Sequence, residues 1–154
     1  MFKIKFVVVI FSLSLSCLAH ANLNHAALEK EVLDSFRNLV EASKKLDTKT
    51  YFQYFDVEKF IGLNSDGTNW NSFDELTPVI NVGFNSIQKV KLIEFPNVKV
   101  SVIDANTAIL VNEYTQTVLL KNGNTYTASG GGTQVWSKRS GRWKLVSVSA
   151  SNKP

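Results

Sequence analysis

After Lys91 the hydrophobic period of this chain changes, and that switch limits the folds open to it. Before it, apolar residues recur at helical spacing. After it, they alternate with polar ones, as on a half-buried strand. Leu28, Val32, Phe36, Leu39, Val40 and Leu46 form one helical stripe, with Asn24 as its expected cap. Glu29, Lys30, Asp34, Arg37, Glu41, Lys44 and Lys45 form its wet face. Asp47 is positioned to cap a second, short helix over 48–55. That helix carries Tyr51, Phe52, Tyr54 and Phe55, and four rings cannot share one face, so some should leave the main core. The stretch 60–71 reads as irregular around the turn signal Asn64-Ser65-Asp66-Gly67. A third helix is expected over 72–90, with Ser72 and Glu75 at capping-box spacing and regular geometry from Pro78 onward.

Beyond Lys91 the strands follow one another. Val98, Val100 and Val102 alternate with polar residues, and Asp104-Ala105-Asn106 turns the chain. A long strand over 108–120 meets Asn122-Gly123, a strong two-residue hairpin signal. The return strand, 126–138, contains Gly130-Gly131-Gly132, where we expect a bulge or sharp bend. Ser140-Gly141 turns the chain into a last strand, 143–151. A run of helices followed by a run of strands predicts an α+β fold. It would be a curved antiparallel meander, cone-shaped, with three helices over the concave face and one open end suited to a ligand.

The N-terminus reads differently. Lys3 and Lys5 precede the apolar run 6–18, and Ala19-His20-Ala21 supplies small residues at both cleavage positions. That pattern predicts a secretory signal peptide, residues 1–21, cut after Ala21. The expected product is one domain, 22–154, located in the periplasm or secreted, with no membrane attachment after cleavage. Losing Lys3 and Lys5 lowers the formal net charge from +4 to +2. No nucleic-acid footprint remains. Cys17, the only cysteine, leaves with the signal, so no disulfide or thiol chemistry is expected. His25 is then the only histidine, too few ligands for zinc, and we expect no metal and no cofactor. Asn64–Asn69 lacks the distal glutamate of a calcium loop. There is no nucleotide loop and no Ser-His-Asp set.

The closing stretch TQVWSKRSGRWKLVSVSAS, 133–151, resembles the last hairpin of the nuclear transport factor 2-like superfamily. It is most similar to the SnoaL-like branch and the association domain of calcium/calmodulin-dependent kinase II. The resemblance rests on Val135-Trp136, Lys138-Arg139, Gly141, Trp143, Leu145-Val146 and Ser151. The order of helices and strands agrees over the whole of 22–154. It implies a cone-shaped fold and commonly a homodimer through the outer sheet face. The activities it implies range over isomerases, dehydratases, cyclases and non-catalytic modules. The association-domain branch often carries histidines in its alternating tail; here Ser147 and Ser149 stand in those positions, so imidazole chemistry is unavailable there.

If both tight turns hold two residues, Gln134 pairs with Val111 and with Ser147, and Glu113 with Gly132. Glu113, Gln134, Trp136, Ser147 and Ser149 then share one face, which the resemblance makes concave. In an apolar cone Glu113 could serve as general acid or base; its plainer role is a solvated strand carboxylate, or a partner of Arg37 or Lys144. Asp56 follows the short helix where some relatives carry a catalytic carboxylate. Tyr54, with Tyr51, could donate to a ligand oxyanion. The candidate catalytic set is therefore Glu113, Asp56 and Tyr54. The candidate ligand-binding set is Tyr51, Tyr54, Trp70, Gln134, Trp136, Ser147 and Ser149. Three functions fit: an exported small-molecule-binding protein with an apolar pocket, a cofactor-free lyase or isomerase, and a dimeric scaffold for another exported protein.

Overall fold

The computed structural model describes residues 13–153, with side chains from residue 24 onward. The expected positive and apolar start of the signal segment lies mostly outside these residues. Helix α1 spans Leu13–Lys44. Asn24 lies within it, not at its start, because no proline or glycine interrupts 13–44 and alanines favour continuation. Its stripe of Leu28, Val32, Phe36, Leu39 and Val40 is buried as expected. The helix ends where Leu46 turns left-handed, at φ 55. Leu46 N–H then bonds Ser43 O at 3.0 Å, and Asp47 N–H bonds Ala42 O at 3.0 Å. Asp47 next accepts from Thr50 N–H at 3.0 Å and caps α2, Thr48–Phe52, which stops before the expected Phe55.

The stretch 60–71 is not irregular. Its strands β1, Ile61–Leu63, and β2, Asn69–Trp70, form a small ribbon. Helix α3, Phe73–Ser86, is capped by Ser72 and carries Pro78 inside it. It starts before Pro78, contrary to the regular start expected there. It also ends early, and β3 runs Ile87–Glu94. The cause of that difference is local. Ile87, Val90 and Ile93 are spaced by three, which imitates a helix. Register irregularities between Ile87 and Lys89 and between Val90 and Leu92 let a strand keep the same spacing.

Strands β4, Val98–Asp104, β5, Thr107–Leu120, β6, Thr125–Ser137, and β7, Lys144–Asn152, complete a seven-stranded sheet ordered β2-β1-β7-β6-β5-β3. β5 carries β4 on its first half and β3 on its second. The sheet is mixed: β1 pairs with β7 in parallel, and every other pairing is antiparallel.

The β5–β6 loop holds three residues, Lys121 to Gly123, closed by Leu120 N–H to Asn124 O at 2.8 Å. Gly123 takes φ 86, a left-handed value that glycine adopts without a Cβ penalty. The extra loop residue slips the expected register by one. Gln134 faces Leu110, and Glu113 faces Gly131. No bulge occurs at Gly130–Gly132; the irregularity lies in β7, where Val146 is the additional residue. Trp136 still pairs with Leu145, as expected, but Gln134 pairs with Val148.

The inner face therefore presents Ala108, Leu110, Asn112, Tyr114 and Val118 from β5, Gln134 and Trp136 from β6, and Leu145 and Val148 from β7. Phe55, Phe60, Leu110, Trp136 and Leu145 pack with the α1 stripe and close the narrow end of the cone.

Candidate functional site

The inner wall is built around three hydrogen-bonding side chains. Trp136 Nε1 donates to Gln134 Oε1 at 3.0 Å, and Gln134 Nε2 donates to Asn112 Oδ1 at 3.2 Å. Asn112 Nδ2 ends the run against Glu113 O at 3.4 Å. Asn112 and Gln134 are 5% and 8% exposed and are the two buried polar residues among those described. Charge is excluded from this wall: no inward-facing position of β5, β6 or β7 carries Asp, Glu, Lys or Arg. Further toward the open end, the Tyr114 hydroxyl donates its one proton to Asn152 Oδ1 and stands 3.3 Å from Ser151 O, while Asn152 Nδ2 reaches Ser65 Oγ at 3.2 Å.

The helical side of the cone is aromatic. Tyr51 lies 5.1 Å from Phe55 and 5.3 Å from Phe84, centroid to centroid, and Phe52 lies 5.2 Å from Phe73. Such tilted and edge-on pairs suit the ring quadrupole. Burial pushes the Tyr51 phenol up to about 12, so its hydroxyl stays protonated. Tyr51, Phe84, Tyr114 and Val148 keep partial solvent access, in contrast to the sealed narrow end.

The expected site residues divide by face. Gln134 and Trp136 lie on the inner wall. Trp70 packs against the core from the β1–β2 ribbon, and Tyr51 joins the aromatic cluster. Glu113, Ser147 and Ser149 lie on the outer face, so the shared face expected for them with Gln134 is corrected. The three-residue loop and the Val146 bulge are the causes. Glu113 accepts from Asn97 Nδ2 at 2.7 Å, and Lys153 Nζ stands 3.8 Å away; neither Arg37 nor Lys144 is its partner. Asp56 is engaged in its own turn, accepting from Glu58 and Lys59 N–H at 3.2 Å. Tyr54 lines a different hollow.

Two hollows open outside the cone. One, of about 650 Å³, lies on the outer face between Lys99, Val111, Glu113, Gly131, Thr133 and Ser149. The second, of about 410 Å³, lies beside Tyr54, Glu31, Lys138, Arg142 and Trp143. In it Glu31 accepts from Lys138 Nζ and from Trp143 Nε1, tying α1 to the β6–β7 hairpin. Those two bonds hold the Glu31 carboxyl below its ordinary range. Among the described residues no cluster of His, Cys, Asp and Glu could hold a metal, and no helix is long and apolar enough to cross a membrane.

Asn112 and Glu31 escaped the sequence reading. Asn112 is visible in it only as a polar residue in step with Ala108 and Leu110, a signal that needs the correct register. Nothing local marks Glu31 among the charges of α1.

Among curated proteins no sequence matches this chain. Solved structures share its fold. A nuclear transport factor 2-like superfamily protein from Salmonella enterica is 18% identical, over 84% of this chain and 93% of that one, with a TM-score of 0.74. The association domain of C. elegans CaMKII is 22% identical, over 82% of this chain and 97% of its own, with a TM-score of 0.67. A protein with a cystatin-like fold from Caulobacter vibrioides is 15% identical, over 81% and 89%, with a TM-score of 0.68. The fold is thus that of the nuclear transport factor 2-like structures. The model of the SnoaL-like domain matches residues 32–153, which contain every strand of the cone, and the chain belongs to that family.

Proposed function

We propose that the chain is an exported, non-catalytic binding protein whose ligand enters the open end of the cone. One observation carries this reading: the inner wall combines partly accessible aromatic rings with buried amides and carries no charged group. Such a wall can hold an apolar molecule and orient it, but it has no acid–base pair. Glu113 and Asp56, the carboxylates a lyase or isomerase would need, are engaged elsewhere. Native mass spectrometry of protein purified from its own compartment tests this. A reproducible small-molecule adduct is expected. Neither an adduct nor a thermal shift across a metabolite library would favour the scaffold. Export is tested by N-terminal sequencing of the mature protein, expected to begin at Asn22.

The outer face favours a second, compatible reading, pairing with another copy of the chain. Ile61, Leu63 and Val111 are exposed there, where an unpaired monomer gains little from apolar residues. The superfamily resemblance points to the same face.

A further inference from the structure

The hollow beside Tyr54 lies outside the cone, between α1, the residues after α2 and the β6–β7 hairpin. Its walls are tied to one another. Glu31 of α1 accepts from Lys138 Nζ and Trp143 Nε1, which holds the hairpin against the helix. Leu145 N–H bonds Tyr54 O at 2.7 Å, which holds the residues after α2 against the start of β7. Trp143 is buried, and its chain neighbours Arg142 and Lys144 line the hollow together with Lys138, Gln53 and Tyr54. Groups held in place in this way lose little freedom when a ligand arrives.

The charges around this hollow do not cancel. Glu31 is answered by Lys138, and Asp34 by Lys30 at 2.6 Å and Arg37 at 3.2 Å. Among the described residues Arg142 has no side-chain hydrogen bond or ion pair, and Lys144 Nζ has only the Phe55 carbonyl, at 3.3 Å. The Tyr54 hydroxyl has no partner among them either. A guanidinium, an ammonium and a phenol thus border one hollow with donors unspent. Two uncompensated cations match a phosphate monoester, which carries about −1.5 to −2 charges at pH 7 and three acceptor oxygens. A carboxylate brings one charge and two oxygens. The volume, about 410 Å³, suits a small molecule and leaves room for the group that bears the phosphate. That group meets Gln53, Ser35 and the two carboxylates, which suit hydroxyls. None of the large apolar residues exposed elsewhere borders this hollow, so an acyl chain has nothing to lie on.

Independently of the cone, we infer that the hollow between α1 and the β6–β7 hairpin binds a soluble phosphate monoester of a hydroxylated small molecule. Arg142 and Lys144 hold the phosphate, Tyr54 donates to one of its oxygens, and the hydroxyls lie along Gln53 and Ser35.

Four probes test this on the purified full chain: glucose 6-phosphate, glucuronate, glucose and inorganic phosphate. Affinity is read by calorimetry at low salt, and the Trp143 Nε1–H and Arg142 Nε–H signals are followed in ¹⁵N spectra. Glucose 6-phosphate should bind most tightly, move both signals and weaken as salt is raised. Arg142→Gln and Lys144→Gln should each weaken it about tenfold, the loss of one charge-assisted contact. Arg142 is exposed, so its replacement leaves the fold intact. Lys99→Gln, in the other hollow, should change nothing. Binding that survives both replacements, or that Lys99→Gln weakens equally, overturns the site. Preference for glucuronate overturns the phosphate, and equal binding of inorganic phosphate or glucose overturns the hydroxylated ester. Retention on phosphatidylcholine vesicles carrying phosphatidic acid, without binding of glucose 6-phosphate, overturns the soluble ligand. If no probe binds at millimolar concentration, the inference falls and the cone-binding reading is untouched.

Discussion

Among the glycines, Gly130 leaves the least room for a side chain. A Cβ there would lie 1.9 Å from Ser151 O and 2.8 Å from the Tyr114 hydroxyl. The obstacle is backbone, which cannot swing aside as a side-chain tip can. Gly130→Ala should cost about 1–3 kcal/mol in urea unfolding, the range for forced overpacking. It should also release the 151–153 end of β7, read as faster amide exchange at Lys153, whose N–H bonds Ser129 O at 2.8 Å. Glu31 gives a pH-dependent counterpart. Its carboxyl is held low by its bonds to Lys138 and Trp143, so its stabilisation is present above the ordinary carboxylate range. It is lost as pH falls through that range toward the lowered folded value. The side chain is 46% exposed, so Glu31→Gln should cost at most about 1 kcal/mol near neutral pH. The gap between the melting temperatures of the two proteins should narrow as pH falls below the ordinary carboxylate range; a gap that stays constant through that fall would contradict this.

At the level of elements, the register of β5 against β6 decides which residues face inward. Two influences could set it, the loop or the burial of Leu110, Trp136 and Leu145. Deleting Lys121 leaves Asn122-Gly123 as a two-residue loop between the same partners, a combination such turns favour. The deletion should keep Leu119 opposite Thr125 and should cost about 1 kcal/mol for the lost Lys121 N–H to Ser86 O bond. Cross-strand NMR contacts that show a slipped register would contradict this. The sequence disclosed these elements unevenly. The α1 stripe, the Asp47 and Ser72 caps and the Trp136–Leu145 pairing were legible because each depends on near neighbours. The three-residue loop was not, because Asn-Gly suits a shorter turn equally well. From that single residue followed the reversed facing of Glu113 and the omission of Asn112, while the Val146 bulge reversed Ser147 and Ser149. Strand β3 was hidden because bulges give it helix-like spacing, and β1 because its partner in β7 lies far along the chain.

For the whole molecule, the two faces of the sheet divide the work. The inner face closes on α1, α2 and their aromatic rings, and the outer face leaves Ile61, Leu63 and Val111 exposed, with Val111 on the wall of a hollow of about 650 Å³. If two copies pair through that face, a charge at its centre will separate them. Val111→Lys should convert a dimer to a monomer in sedimentation velocity without lowering the monomer's helical or strand content, because the residue is already 50% exposed. A wild-type monomer at tens of micromolar would contradict the pairing. The cone's ability to bind a ligand should survive that change, since no inner-wall residue is altered.

The parallel pairing of β1 with β7 also bears on how the protein fails. Tyr54–Asp56 hold Leu145 at the start of that edge of β7, and beyond it Ile61–Leu63 guard Ser147–Ser149; Ile61 and Leu63 are themselves exposed, so this second guard is lightly held. If it lifts, the segment Val146-Ser147-Val148-Ser149-Ala150 becomes an open strand edge. It is uncharged, lacks proline and is rich in valine and serine. Such an edge recruits strands from other molecules. Transient loss of a three-residue ribbon is therefore the expected first step toward aggregation, well before the core unfolds.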